Sequence, residues 1–169
     1  MMKTKFSWID VLPITFTSLL LISQILVGIY LLSYITQIKL LAYIGVGLYV
    51  FPGIVFGMLP VIEFRKKGGV TTGKSYIHTT KLVNTGIYAI VRHPQYITWI
   101  WWSVAGMFLF QHWVVVCLGI PIIPFTYIDL MNADKDGIKK FGEDYKRYMK
   151  MVPRANFLLG IIRLFRDRT

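Results

Sequence analysis

The chain has 169 residues, of which 55% are hydrophobic and 16% are charged, and its formal net charge is +11. Soluble domains usually carry about 25% charged residues, so the composition excludes an ordinary soluble protein and indicates an integral membrane protein. We predict an all-α fold in which residues 1–169 form one domain. The single Cys117 excludes an internal disulfide, and we expect its thiol to be buried and inert.

The first predicted element is a helical hairpin over residues 1–62. Residues 11–35 and 40–62 contain no charged side chain, and each run exceeds the roughly 20 residues that cross a hydrocarbon core. Both runs therefore predict transmembrane helices, and the first is too long for a cleaved signal peptide. Pro52 and Pro60 predict kinks in the second helix because proline cannot donate a backbone hydrogen bond.

Residues 63–95 form a predicted cytoplasmic loop that contains a glycine-rich motif. Residues 68–75 read Gly-Gly-Val-Thr-Thr-Gly-Lys-Ser and fit the spacing of a phosphate-binding P-loop. That chemistry requires a buried strand before the loop and a helix after it, whereas here a membrane helix precedes the motif. We therefore expect a flexible basic loop and no nucleotide hydrolysis.

The third apolar region, residues 94–128, is too long for one transmembrane helix. As a single helix it would extend about 50 Å, against a hydrocarbon core of about 30 Å. We predict a break at residues 111–113, which yields helices 96–110 and 113–128 in a tight hairpin and gives four transmembrane helices in all. Pro121 and Pro124 predict kinks in the fourth helix.

Residues 133–169 are predicted to form cytoplasmic and interfacial helices. Within 133–150, apolar side chains recur at the spacing of one helical face, namely Ile138, Phe141, Tyr145 and Tyr148. Residues 157–164 are apolar and basic residues accompany them, which is typical of an amphipathic helix lying on the membrane surface.

The distribution of basic residues supports this topology. With four spans, 18 of the 19 Lys and Arg residues lie on one side of the membrane, and only Lys39 lies on the other. The positive-inside rule then predicts that both the N- and the C-terminus are cytoplasmic. The positive charge therefore indicates contact with anionic lipid rather than with nucleic acid.

One polar segment at the start of the third span stands out. Residues 92–96 read Arg-His-Pro-Gln-Tyr, and Pro94 suits the first turn of a helix. Gly86, a little earlier, permits a tight turn or a close backbone approach. Polar groups at this membrane depth are costly and are usually functional or paired. The alternative is that Arg92 anchors to lipid phosphates and His93 is merely solvated.

Longer strings around this segment resemble a known family. Residues 82–88 read Leu-Val-Asn-Thr-Gly-Ile-Tyr and residues 91–96 read Val-Arg-His-Pro-Gln-Tyr. Downstream, residues 141–148 read Phe-Gly-Glu-Asp-Tyr-Lys-Arg-Tyr and residues 152–154 read Val-Pro-Arg. In this order and spacing the strings resemble the isoprenylcysteine carboxyl methyltransferase and phospholipid methyltransferase superfamily, over about half of the chain.

The resemblance implies a membrane enzyme that takes S-adenosylmethionine from the cytoplasmic side and releases S-adenosylhomocysteine. Its acceptor would be a lipid or a prenylated small molecule. The cofactor-binding positions that it implies are Thr80, Lys81, Leu82, Val83, Tyr88, His93, Pro94, Gln95 and Tyr96. The family adds a Glu-Glu pair, for which this chain has Ala133 and Asp134; we expect Asp134 to hold the cofactor's ammonium group, with Asp136 in reserve.

The acceptor stays open at this stage. Isoprenylcysteine enzymes place an arginine shortly before the acidic pair, and residues 127–132 contain none, so a phospholipid amine is an alternative to a carboxylate. An amine acceptor needs a general base, for which Asp129, Glu63 or His93 are the candidates. We expect no metal, because no His/Cys cluster exists. A non-catalytic scaffold or transporter-like protein, and less favourably a sterol-type reductase, are the rival interpretations.

Overall fold

The computed structural model describes residues 8–70, 73 and 79–166, with the backbone alone for residues 8–11. This part of the chain is helical and contains no strand, which confirms the predicted all-α class. The α-helices in chain order are α1 (Trp8–Leu31), α2 (Lys39–Pro52), α3 (Leu59–Lys67), α4 (Ile87–Ile90), α5 (Pro94–Phe110), α6 (Trp113–Gly119), α7 (Ile122–Phe141), α8 (Glu143–Met151) and α9 (Phe157–Arg166).

Three helical stretches are long and apolar enough to cross a membrane. They are Leu12–Tyr34, Lys39–Lys67 and Trp113–Phe141, as far as the described residues extend. These stretches support an integral membrane protein. Helix α5 has 17 residues and therefore a length of about 26 Å, slightly less than a hydrocarbon core.

The chain divides into two compact units, one of Met1–Val50 with Trp99–Asn132 and the other of Phe51–Thr98 with Ala133–Thr169. In the first unit, buried polar side chains connect the helices. The Gln24 amide donates to the carbonyls of Ser103 and Val115 at 3.0 and 3.2 Å. The Ser103 hydroxyl donates to the Gly119 carbonyl at 3.0 Å. Such bonds between membrane helices contribute about 0.6 kcal/mol on average.

The predicted breaks occur where the chain cannot continue a regular helix. Residues 111–112 separate α5 from α6, as predicted, because Gln111 adopts a left-handed φ of 49°. Helix α6 ends at Gly119 and α7 begins at Ile122, on either side of Pro121. A π-helical segment, Gly53–Met58, follows Pro52 directly and leads into α3.

In the second unit, the helix boundaries differ from those predicted from the sequence. Helix α7 continues to Phe141 instead of stopping near residue 128, since no glycine or proline interrupts residues 125–136. The break comes at Gly142, where φ is 59°. The predicted apolar face nevertheless forms, because Ile138 and Phe141 pack with Tyr145, Tyr148 and Val152.

The structure also tests the expectations for Cys117 and for the glycine-rich motif. Cys117 is exposed and not buried, because it lies on the face of α6 opposite the buried Val115 and Gly119. Gly68 and Gly69 follow the helix α3 and not a strand, which agrees with the rejection of a P-loop. Half of that motif, residues 71–72 and 74–75, lies outside the described residues.

Two glycines of α2 provide a matched test of how closely α2 packs against α5. A Cβ at Gly45 would lie 2.7 Å from the Leu109 amide nitrogen and 3.0 Å from the Ala105 carbonyl oxygen, whereas nothing lies within 4 Å of a Cβ at Gly47. We expect Gly45→Ala to lower the free energy of unfolding in detergent by about 1–3 kcal/mol through overpacking. Gly47→Ala should be neutral or slightly stabilising. Equal effects of the two substitutions would contradict the close contact.

Candidate functional site

The site in the second unit begins with a turn that only glycine can make. Gly86 has φ 60° and ψ −130° and precedes α4. A Cβ there would lie 2.5 Å from Glu63 Oε1. The positive φ requires glycine, and a Cβ would in addition displace the Glu63 carboxylate, which confirms the tight turn predicted at this residue.

Side chains from distant segments hold the short helix α4 in place. The Tyr148 hydroxyl donates to the Tyr88 carbonyl at 2.6 Å, and the Arg163 guanidinium donates to the Ala89 carbonyl. The Tyr88 ring stacks on Phe64 with the ring centroids 4.5 Å apart and an interplanar angle of 13°. Four residues cannot form a stable helix alone, so these contacts fix α4 and the position of Tyr88.

The two sequence strings that carry the resemblance lie side by side. The Arg92 amide donates to the Pro153 carbonyl at 3.1 Å, and the His93 amide donates to the Arg154 carbonyl at 3.3 Å. Pro94 then begins α5, as predicted. The Arg-His-Pro segment and the Val-Pro-Arg segment therefore form one structural element.

Asp134 lies at the centre of this element. Its Oδ1 atom is 2.7 Å from His93 Nε2, 3.0 Å from the Tyr145 hydroxyl and 3.3 Å from Arg92 Nη1. Its Oδ2 atom accepts from Arg154 Nε at 2.6 Å. The Asp134 side chain is 4% exposed, so its charge is compensated by protein groups and not by water.

The surroundings of Asp134 define the roles of its partners. A carboxylate accepts hydrogen bonds, so His93 donates through Nε2 and Tyr145 through its hydroxyl. Burial, together with the neighbouring Asp134 charge, raises the pKa of Tyr145 far above its usual range. Tyr145 is therefore a neutral donor at physiological pH. Burial likewise raises the pKa of Tyr148, which keeps its bond to α4.

A pocket of about 410 Å³ opens beside this network. Its size lies within the range of small-molecule sites, about 300–1,000 Å³. The wall combines six aromatic side chains with a few polar and charged ones. The lining residues are Phe64, Thr79, Lys81, Leu82, Val83, Tyr88, Arg92, His93, Tyr96, Ala133, Asp136, Gly137, Lys140, Phe141, Tyr145 and Tyr148.

Six of the ten positions named from the sequence line this pocket: Lys81, Leu82, Val83, Tyr88, His93 and Tyr96. Thr80, Pro94 and Gln95 are close in sequence but do not line it; the Thr80 hydroxyl donates to the Gly69 carbonyl at 2.9 Å. Asp134 does not line it either, because its oxygens are engaged with the four groups described above. Asp136, the reserve candidate, does line it.

Helix α7 forms one wall of the pocket, and of its lining residues the sequence pointed to Ala133 and Asp136 but not to Gly137 and Lys140. Ala133, Asp136, Gly137 and Lys140 follow one another at spacings of three or four residues, so they share one face of the helix. That spacing was a usable signal once α7 was known to continue to Phe141. Lys140 Nζ donates to the Thr79 hydroxyl at 3.1 Å.

Of the three candidates for a general base, His93 lines the pocket, whereas Glu63 and Asp129 lie outside its lining. Glu63 forms an ion pair with Lys67 at 2.9 Å and contacts the Gly86 turn. Asp129 belongs to the other unit, where the Thr17 hydroxyl donates to it at 3.3 Å. No cluster of three His, Cys, Asp or Glu side chains suited to a metal occurs in the described part of the chain.

We predict that Asp134→Asn destabilises the protein strongly. The change removes the charge that Arg92, His93 and Arg154 surround, and breaking a buried ion pair typically costs about 3–5 kcal/mol. Asp144→Asn is the matched control, because Asp144 is exposed and pairs with Arg147 on the surface; such pairs contribute little. Chemical unfolding in detergent compares the two variants, and equally small losses would contradict the central position of Asp134.

Comparisons of the sequence with known proteins show which family it is similar to. Residues 67–132 match the model of the isoprenylcysteine carboxyl methyltransferase family. The human protein-S-isoprenylcysteine O-methyltransferase is 29% identical over 120 residues, which cover 63% of this chain and 42% of the human protein. The rat protein is 30% identical over 118 residues, which cover 62% of this chain and 42% of the rat protein.

A plant relative matches over more of its own length. Protein-S-isoprenylcysteine O-methyltransferase B of Arabidopsis thaliana is 29% identical over 141 residues, covering 69% of this chain and 68% of the relative. The chain thus spans less than half of the length of the animal relatives. No solved structure matches it significantly. The family model and these relatives confirm the predicted resemblance to the isoprenylcysteine carboxyl methyltransferase family, which residues 67–132 carry.

Proposed function

We propose that this chain transfers a methyl group from S-adenosylmethionine to a lipophilic acceptor with a free carboxylate, of the prenylated cysteine type. The observation that supports this most directly is the arrangement around the pocket. Phe64 and residues within 79–96 and 133–148 line a single pocket of about 410 Å³, and they include members of three of the four strings that resemble the family. A structural role alone would not require a pocket there.

The lining fits the chemistry of the methyl donor. When bound, S-adenosylmethionine supplies an electrophilic methyl group on a positively charged sulfur. The rings of Tyr88, Tyr96 and Phe141 offer faces for adenine and for a cation. Asp136 supplies a carboxylate for an ammonium group, and Lys81 and Lys140 supply cations for a carboxylate.

In this proposal Asp134 is a positioning residue and Asp136 takes the ligand-binding role. Asp134 is buried and its two oxygens already engage four side chains. A further ammonium group would have to displace one of them. Asp134 therefore orients His93 and Arg92 toward the pocket, while Asp136, which directly precedes the wall residue Gly137, is part of the lining.

A carboxylate acceptor suits the charges of the site better than an amine. Arg92 lines the pocket and its Nε atom has no hydrogen-bond partner, so this guanidinium retains a donor for an anionic group. It compensates for the arginine that residues 127–132 lack. A carboxylate needs no general base before it attacks a methyl group, which agrees with the engagement of Glu63 by Lys67. Alignment of donor and acceptor would then supply most of the rate enhancement.

For the membrane topology we propose four spans, with α5 as the third and both termini cytoplasmic. The described residues contain three long apolar stretches, one fewer than the four proposed spans. Helix α5, at 17 residues, crosses if the bilayer thins locally or if flanking residues extend to the interface. An even number of spans is also the arrangement that collects 18 of 19 basic residues on one side.

We predict that the purified protein transfers label from S-adenosylmethionine to a prenylated cysteine with a free carboxylate, and not to its carboxamide. The product should release labelled methanol in alkali, because it is a methyl ester. Asp136→Asn should lose about tenfold or more of the activity, the effect of one charge-assisted hydrogen bond, and Asp144→Asn should retain it. Alkali-stable label on phospholipid amines, or no transfer by folded protein, would contradict the proposal.

A further inference from the structure

A second concave surface lies between α8 and α9, apart from the pocket described above. This groove has a volume of about 340 Å³ and is lined by residues of both helices and the turn between them. Three of its lining residues, Lys150, Arg163 and Arg166, are basic, and none of its described lining residues is acidic. The remaining walls are largely apolar, with Leu159 and Ile162 among them.

We propose that this α8–α9 groove is a binding site for an anionic phospholipid. Three cations line one concavity, and a phosphate group can accept hydrogen bonds from several cations at once. Lys150 and Arg166 are exposed, so they are accessible to a ligand. The Nε atom of Arg163 is buried without a hydrogen-bond partner, and an anion in the groove offers a compensating charge that none of the described lining residues supplies.

The exposed face of α9 indicates a lipid rather than a free anion. Leu158, Leu159, Ile162 and Phe165 are 60%, 56%, 62% and 69% exposed. Leu159 and Ile162 belong both to this apolar face and to the wall of the groove, so the charged and apolar surfaces are continuous. A phospholipid satisfies both, with its phosphate in the groove and its acyl chains along α9, as in interfacial amphipathic helices.

Lipid bound in this groove would also stabilise the helix α4, which contributes to the pocket of about 410 Å³. Arg163 donates to the Ala89 carbonyl of α4 and to the Met151 carbonyl at the end of α8. Gly160 of α9 packs directly on the Ile90 carbonyl. Helix α4 carries Tyr88, a wall residue of the larger pocket. The groove therefore adjoins the contacts that hold α4, although lipid binding itself does not depend on the proposed methyl transfer.

The test uses the full chain in a neutral detergent, with thermal unfolding as the readout and no dependence on methyl transfer. Dioctanoyl phosphatidylglycerol, dioctanoyl phosphatidylcholine and inorganic phosphate are titrated separately. We expect phosphatidylglycerol alone to raise the midpoint by several degrees, as ligand binding to the folded state requires. The double variant Lys150→Gln/Arg166→Gln should lose this shift.

The matched control is Lys146→Gln/Arg147→Gln, which removes the same charge from the exposed side of α8, where both residues form surface ion pairs. It should keep the shift. Equal shifts in the two double variants would overturn the site, as would a shift produced by phosphate or phosphatidylcholine alone. As a second measurement, native mass spectrometry of the unaltered protein should show one retained phosphatidylglycerol in competition with phosphatidylcholine; no preference would contradict the proposal whether or not the variants fold.

Discussion

A carboxylate that is removed from water must find its compensation within the protein, and Asp134 meets this requirement through residues from three other segments. Arg92 and His93 precede α5, Tyr145 belongs to α8, and Arg154 follows α8. The free energy of a buried charge left unpaired is too unfavourable for a small protein to tolerate. The segments are therefore held together because each supplies a group that compensates the Asp134 charge. The backbone hydrogen bonds between residues 92–93 and 153–154 belong to the same arrangement.

The pocket depends on this network for its shape. His93, Arg92 and Tyr145 contact Asp134 and also form part of the pocket wall. Their donors are thereby held in fixed directions, which is the preorganisation that a site for a charged ligand requires. The aromatic walls come from the same packing, since Tyr148 both fixes α4 through the Tyr88 carbonyl and contacts Tyr145. In the proposed function, the structural role belongs to Asp134 and the ligand-binding role to Asp136.

The sequence contained enough information for the helices and for part of the site. Uncharged runs predicted the long apolar helices, and the prolines and the polar turn near Gln111 predicted their interruptions. The strings at 82–88 and 91–96 contain six of the sixteen residues that line the pocket. These features are local, because they depend on hydropathy, backbone freedom and contiguous residues.

What the sequence did not reveal depends on contacts between distant residues. The burial of Asp134 follows from the positions of Arg92 and Arg154, which lie far from it in sequence. Gly137 and Lys140 in the α7 wall were missed because the fourth helix was expected to end near residue 128, whereas α7 continues to Phe141. The exposure of Cys117 depends on which face of α6 is packed, and an apolar run on all sides gives no indication of that face.

The central claim is that the pocket bounded by α4, α7 and α8 binds the methyl donor. Calorimetric titration of S-adenosylhomocysteine into the detergent-purified protein tests it without requiring an acceptor. We expect saturable binding that Asp136→Asn and His93→Ala each weaken by about tenfold or more, while Asp144→Asn leaves the affinity unchanged. Absence of binding to folded protein, or an affinity that neither pocket substitution alters, would contradict the account.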